Sequence, residues 1–102
     1  MDAPLELRAE RDGERTLLRA PEVGYLTCAR AQGALVGPGE EVGVLLQLGR
    51  AFRLVVPAGV LGRIVSAAPD RKKEPVEYGQ VLYELESIEG GIAEVELVLP
   101  GR

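Results

Sequence analysis

Apolar and polar residues alternate along much of this chain. The stretch "LELRAE" at 5–10 has apolar side chains at every second position, and "IAEVELVL" at 92–99 alternates in a similar way. A period of two is typical of a β-strand with one face covered. The 13 glycines and 7 prolines interrupt the chain too often for long helices. The pattern therefore predicts an all-β protein built from many short strands.

The first predicted hairpin covers about residues 4–19. Asp12-Gly13 is a favoured two-residue hairpin turn, and "RTLLRA" after it is the predicted return strand. Leucine, arginine, glutamate and alanine are also good helix formers, so a helix is the competing interpretation. The turn and the period-two alternation favour the two strands.

The central hairpin is predicted where "EVGVLLQL" and "FRLVVP" flank a short break. A three-residue tip made of Gly49, Arg50 and Ala51 places Leu48 opposite Phe52, and the apolar pairs then share one face. A tip of Gly49-Arg50 alone mixes apolar and polar side chains on both faces, so the three-residue tip is favoured. Other strands are predicted at "VGYLTCA", "QGALV", "VLGRIVSAA" and "VLYELES", with a polar loop, "PDRKKEPVEYGQ", before the last.

Two stretches resemble each other within the chain. "GALVGPGEEVGVLLQL" begins at Gly33, and "GRIV", followed after a longer gap by "YGQVLYELES", begins at Gly62. Each has Gly-x-Leu/Ile-Val and then Gly-Glu/Gln ahead of a strand. Chance is the competing explanation, because glycine and valine are frequent here. As a repeat, the match predicts two similar β halves packed together.

Two halves joined by a hairpin resemble the biotin/lipoyl attachment domain family over about residues 23–86. The resemblance is carried by the order of "PGEEVGVLLQLGRAF" at 38–52, "AGVLGRIV" at 58–65 and "EPVEYGQVLYELE" at 74–86. It implies a barrel-sandwich hybrid, a flattened β-barrel with pseudo-twofold symmetry. Residues 1–102 would then form one domain, with extra strands at about 4–19 and 92–99.

That family attaches its prosthetic group to a lysine at the hairpin tip, within Glu-Ala-Met-Lys-Met in biotin-accepting members. The matching residues 47–51 read Gln-Leu-Gly-Arg-Ala, so Arg50 falls where the lysine would be. A guanidinium stays protonated and is a poor nucleophile. The only lysines, Lys72 and Lys73, lie in a different loop. The resemblance therefore implies the fold without the attachment, and no cofactor is expected.

Composition narrows the chemistry further. The net charge is −4, without the basic footprint that nucleic-acid binding needs. The chain has no histidine, which excludes catalytic pairs with histidine and histidine-based metal sites. The single cysteine, Cys28, cannot form an internal disulfide and is expected as a buried core thiol in a reducing compartment. We therefore expect neither an enzyme nor a metal protein.

Membrane insertion and secretion are not expected. No apolar run approaches the roughly 18 residues that suggest a membrane span. The first fifteen residues are too charged for a secretory signal. A cytoplasmic protein is the expectation from these two observations.

The sequence leads to one preferred hypothesis and two alternatives. The preferred one is a non-catalytic module that docks on a protein partner within or beside a carboxylase-type assembly, with Arg50 available to a carboxylate or phosphate. The first alternative is a true carrier modified at Lys72 or Lys73. The second is a small-ligand domain on the same scaffold, although the scarcity of aromatic residues counts against sugars and nucleotides. A homodimer through an edge strand such as 92–99 is a further expectation.

Overall fold

The computed structural model describes residues 2–88 of the chain, and this part contains ten short strands joined by turns and loops. No helix occurs in this range, which confirms the all-β prediction. The predicted strand at 92–99 lies outside the described residues. The strands are β1 (Asp2–Glu6), β2 (Arg8–Asp12), β3 (Arg15–Arg19), β4 (Gly24–Thr27), β5 (Leu35–Val36), β6 (Glu41–Gln47), β7 (Arg50–Val55), β8 (Gly62–Ile64), β9 (Glu74–Val76) and β10 (Val81–Glu86).

The strands form two five-stranded sheets that enclose one aliphatic core. The sheet with the order β1-β7-β6-β4-β9 is named sheet A, and the sheet with the order β2-β3-β10-β8-β5 is named sheet B. All neighbouring strands are antiparallel except β1 and β7. The largest fully buried side chains come from both sheets and from the residues that directly follow β1 and β7: Tyr83, Leu7, Leu18, Leu45, Leu54, Ile64, Leu85, Val36, Val42 and Val56. This arrangement is the flattened barrel-sandwich hybrid expected from the sequence.

The two sheets are related by a quasi-twofold operation. If β3, β4, β5 and β6 are exchanged with β7, β8, β9 and β10, the order β3-β10-β8-β5 of sheet B becomes the order β7-β6-β4-β9 of sheet A. The predicted pair of similar halves is therefore present. One detail of the predicted repeat is wrong, because β5 in "GALV" is equivalent to β9 and not to β8 in "GRIV".

Equivalent turns lead into β6 and β10. Glu40 accepts a hydrogen bond through Oε1 from the N–H of Gly37 at 2.6 Å, and Gln80 accepts one through Oε1 from the N–H of Glu77 at 2.9 Å. The glycine before each acceptor has a positive φ, 80° and 82°, a conformation that glycine adopts without penalty. The matching Gly-Glu and Gly-Gln pairs in the sequence thus build the same turn twice.

The tip of the central hairpin differs from its prediction. Gln47 pairs with Arg50, so the turn consists of Leu48 and Gly49, and the predicted tip of Gly49, Arg50 and Ala51 is wrong. Gly49, the second residue of the turn, has a φ of 67°, a conformation that glycine adopts without penalty. The observed register places Leu45 opposite Phe52, and both side chains are buried.

Three smaller expectations also need correction. The first hairpin turns at Gly13-Glu14, one residue later than predicted, because Asp12 pairs with Arg15. The predicted polar loop before the last strand contains β9. Cys28 is exposed instead of buried, because it follows β4 directly in a left-handed conformation with a φ of 56°.

Tyr83 connects the two sheets through the core. It lies on β10 of sheet B and is 2% exposed. Its hydroxyl donates a hydrogen bond to the carbonyl of Val42 on β6 of sheet A and accepts one from the N–H of Arg30 at 3.2 Å. Gly43 next to this site leaves the space, because a Cβ there would lie 3.3 Å from the tyrosine oxygen and 2.9 Å from Leu26 Cδ1. Gly43 and Tyr83 occupy equivalent positions in the two halves. The halves therefore differ here, with a glycine in β6 and a large buried side chain in β10.

Candidate docking surface at the central hairpin

The central hairpin presents an apolar side chain at its turn. Leu48 is 99% exposed, more than any other large hydrophobic side chain among residues 3–88. Arg50 is exposed and begins β7, where its guanidinium carbon lies 4.9 Å from the centre of the Phe52 ring. Ala51 follows within the strand and is half-buried. The turn itself offers neither a lysine nor a charged group.

The two lysines lie in the segment between β8 and β9. Both are exposed. Lys73 directly precedes β9 and lines the same concavity as Leu48. Lys72 lines a different recess, together with Cys28. Neither lysine occupies the hairpin turn, although one of them is near it.

A row of apolar side chains crosses the outer face of sheet A beside this hairpin. Tyr25 on β4 pairs with Leu46 on β6 and with Pro75 on β9, and Leu46 pairs with Ala51 on β7. Side chains of neighbouring residues in a strand point to opposite faces. Since Leu26, Leu45 and Phe52 belong to the buried core, this row faces outward.

The equivalent row on sheet B is ionic. The quasi-twofold operation relates the four positions of the apolar row to Leu35, Arg63, Glu86 and Arg15, which also pair across their sheet. Arg63 Nε lies 3.6 Å from Glu86 Oε2. The same backbone framework thus carries an apolar row on one outer face and a charged row on the other. The apolar row is not a requirement of the fold, because the other half folds without it.

Cations border the apolar row at the hairpin end. An open concavity of about 660 Å³ is lined there by Val23, Gly24, Tyr25, Leu46, Gln47, Leu48, Arg50 and Lys73. These residues include two cations and no carboxylate, in a chain whose net charge is −4. Gln47 donates a hydrogen bond through Nε2 to the carbonyl of Val23 at 2.7 Å and so joins the hairpin to the start of β4. The surface suits a group that combines apolar and anionic chemistry.

Sequence reasoning found part of this surface. It singled out Arg50 and Lys73, but it placed Tyr25 and Leu46 only within strands and assigned them no role. The outward position of Leu46 depends on the register of the hairpin, which the sequence did not give correctly. The pairing of Tyr25 with Leu46 depends on contact between β4 and β6, which are 13 or more residues apart in the chain.

The Arg50→Ala substitution should change the free energy of unfolding by less than about 1 kcal/mol. Arg50 is exposed, and substitutions of exposed side chains usually have small effects. Its cation–π contact with the Phe52 ring is of the exposed kind that contributes about 0.5–1 kcal/mol. Urea denaturation of the two proteins measures the difference. Phe52→Ala, at a buried position 8% exposed, is the comparison and should cost about 3 kcal/mol. A loss of several kcal/mol for Arg50→Ala would show that this side chain supports the fold.

Comparison with known proteins supports the fold. No family model and no curated protein matches the chain. Among solved structures, the chain is similar to a single-chain, multi-domain long-chain acyl-CoA carboxylase, with a TM-score of 0.61 and 21% sequence identity. The match covers 86% of this chain and 9% of that chain. At this identity the similarity shows a shared fold alone, in a small part of a much longer protein.

Within residues 2–88, the structure has no helix that could span a membrane.

Proposed function

We propose that this chain is a non-catalytic module with a biotinyl/lipoyl-like fold, which carries no prosthetic group and acts by docking on a protein partner. The observation that carries this proposal is the turn of the central hairpin, where Leu48 and Gly49 stand. Neither residue has a side-chain amine that could attack an activated acyl group. The cation that follows, Arg50, keeps a positive charge without nucleophilic reactivity.

The comparison with the acyl-CoA carboxylase gives the proposal its setting. A fold shared with a small part of a multi-domain carboxylase supports a role within or beside a carboxylase-type assembly. Folds host many functions, so this support comes from likeness and not from a shared site. A cytoplasmic location is part of the proposal, since the lone cysteine cannot form an internal disulfide.

The intact mass of the protein isolated from its native cells tests the absence of a prosthetic group. We expect the mass of the bare polypeptide, because the hairpin turn has no lysine. The alternative, a carrier modified at Lys72 or Lys73, predicts a biotinyl or lipoyl increment instead. The matched control is the double variant Lys72→Arg/Lys73→Arg, produced in the same cells. An increment that is present in the natural sequence and absent from the double variant would contradict the proposal.

A further inference from the structure

We propose that the hairpin end of the outer face of sheet A is the docking surface, and that it receives a protein segment whose apolar side chains are flanked by a carboxylate. The surface comprises Val23, Tyr25, Leu46, Leu48 and the two cations Arg50 and Lys73. This inference rests on the proposed function, because it assigns the place and the partner chemistry of the same docking. The name hairpin surface is used below for these six residues.

Three of the seven exposed large hydrophobic side chains among residues 3–88 belong to the hairpin surface. Leu48 is 99% exposed, Val23 56% and Tyr25 52%, and all three line one concavity. Clustered exposed apolar side chains on a soluble domain mark interaction sites, whereas scattered ones are ordinary. Tyrosine and arginine, both present here, are enriched among the residues that dominate binding energy at interfaces. The occupant should therefore bring apolar side chains into contact with Tyr25 and Leu48.

The charges of the hairpin surface select an acidic occupant. Arg50 begins β7 and Lys73 directly precedes β9. Both line one concavity whose lining includes no carboxylate. A second copy that docked through the same surface would place its own Arg50 and Lys73 against those of the first copy, and these like charges disfavour that pairing. Charge complementarity at an interface sets orientation and partner choice and speeds association. A segment of another protein with a carboxylate next to its apolar side chains matches both the exposed apolar side chains and the cations of the hairpin surface.

The quasi-twofold relation supplies a matched control surface on the same molecule. Tyr25 on the apolar row is equivalent to Arg63 on the ionic row, where an ion pair with Glu86 already satisfies the charge. Both positions lie in the middle strand of three and have equivalent cross-strand partners. If docking depends on surface chemistry and not on the fold, the partner should contact position 25 and not position 63.

Site-specific photo-cross-linking in the native cells tests the inference. The full chain carries benzoylphenylalanine either as Tyr25→benzoylphenylalanine or as Arg63→benzoylphenylalanine, and the cross-linked peptides are identified by mass spectrometry. We expect one protein partner to be captured from position 25 and not from position 63. Its captured peptide should place aspartate or glutamate within a few residues of an apolar attachment point.

Charge variants then test the carboxylate contact. In the Tyr25→benzoylphenylalanine protein, Lys73→Glu should reduce capture of that partner at least about tenfold, because opposed like charges disfavour an interface strongly. Lys72→Glu is the matched control, since Lys72 lines another recess, and it should leave capture unchanged.

Each other outcome overturns the inference in a recognisable way. Capture from position 63 alone would place docking on sheet B and leave the proposed function standing. Cross-links between two copies of this chain would identify the occupant as a second copy. Equal losses of partner capture with Lys73→Glu and Lys72→Glu would show that Lys73 makes no specific contact with a carboxylate of the partner. No protein captured from either position would count against both the surface and the proposed docking function.

Discussion

The Gly62→Ala substitution is expected to lower the free energy of unfolding by about 2–3 kcal/mol, the cost of forcing extra volume into packed structure. A Cβ at this position would lie 2.7 Å from the carbonyl oxygen of Glu86 and 3.1 Å from Leu85 Cβ. Both atoms belong to β10, which pairs with β8 on one side and β3 on the other. The strand therefore cannot move away without breaking its sheet. Urea denaturation with a two-state fit measures the loss.

Two other glycines provide the comparison: the symmetry mate Gly24, and Gly37, where only side-chain atoms lie near the added Cβ. In Gly24→Ala the new Cβ would lie 2.6 Å from the carbonyl oxygen of Leu46, so we expect a loss of similar size. In Gly37→Ala the nearest atom is the flexible end of Leu61 at 3.2 Å, and the loss should stay below about 1 kcal/mol. If Gly62→Ala behaved like Gly37→Ala, the close contact between β8 and β10 would be wrong.

Tyr83→Phe is expected to cost about 1–2 kcal/mol at neutral pH. The substitution keeps the buried ring and removes a hydroxyl that hydrogen-bonds both the Val42 carbonyl and the Arg30 N–H. Loss of one buried partner leaves the remaining groups less well satisfied, and this accounts for the magnitude. Tyr25→Phe is the control, because its hydroxyl is on an exposed residue, and its effect should stay within about 0.5 kcal/mol.

The same tyrosine should make stability fall in alkali. Burial raises the pKa of Tyr83, and the hydrogen bond and charge of Arg30 oppose that rise only in part. The folded state then holds this proton more tightly than the unfolded state, whose pKa is about 10. The contribution of Tyr83 to the free energy of unfolding is therefore fully present below about pH 10 and is lost as the pH rises through the folded-state pKa. Tyr83→Phe should show a smaller loss between about pH 8 and about pH 11. Equal losses in both proteins would contradict the assignment.

The positions of the strands were predictable because turns and alternation are local signals. Glycine followed by glutamate or glutamine marked the turns before β6 and β10, and the structure shows why, since the acceptor side chain closes each turn. The hairpin tip was missed because apolar matching placed Leu48 opposite Phe52. In the structure, the ability of Gly49 to adopt a positive φ fixes the turn, and Leu48 is left exposed.

The hairpin surface was harder to predict because β6 is apolar on both faces. Val44, Leu45 and Leu46 follow one another, so hydrophobicity alone does not indicate which of them faces the core. Leu45 is fully buried, whereas Leu46 pairs with Tyr25 on the outer face. The pairs of Leu45 with Phe52 and of Leu46 with Ala51 follow in regular order from the turn at Leu48-Gly49. A register shift between Glu41 and Gly43 interrupts the alternation along β6, so the start of the strand does not indicate which residues near the turn face the core.

The interleaving of the two halves has a consequence for how this chain acquires its structure during synthesis. Each sheet takes strands from both halves. In sheet A, β6 and β4 of the first half pair with β7 and β9 of the second half, and in sheet B β3 and β5 pair with β10 and β8 in the same way. Sheet A is complete only when β9 has been synthesised and sheet B only when β10 has, and until then the first half exposes its apolar face. Topologies dominated by such distant pairings fold in milliseconds to seconds. The fold is therefore complete only after β10 has been synthesised, and the first half on its own is the stage at which aggregation threatens.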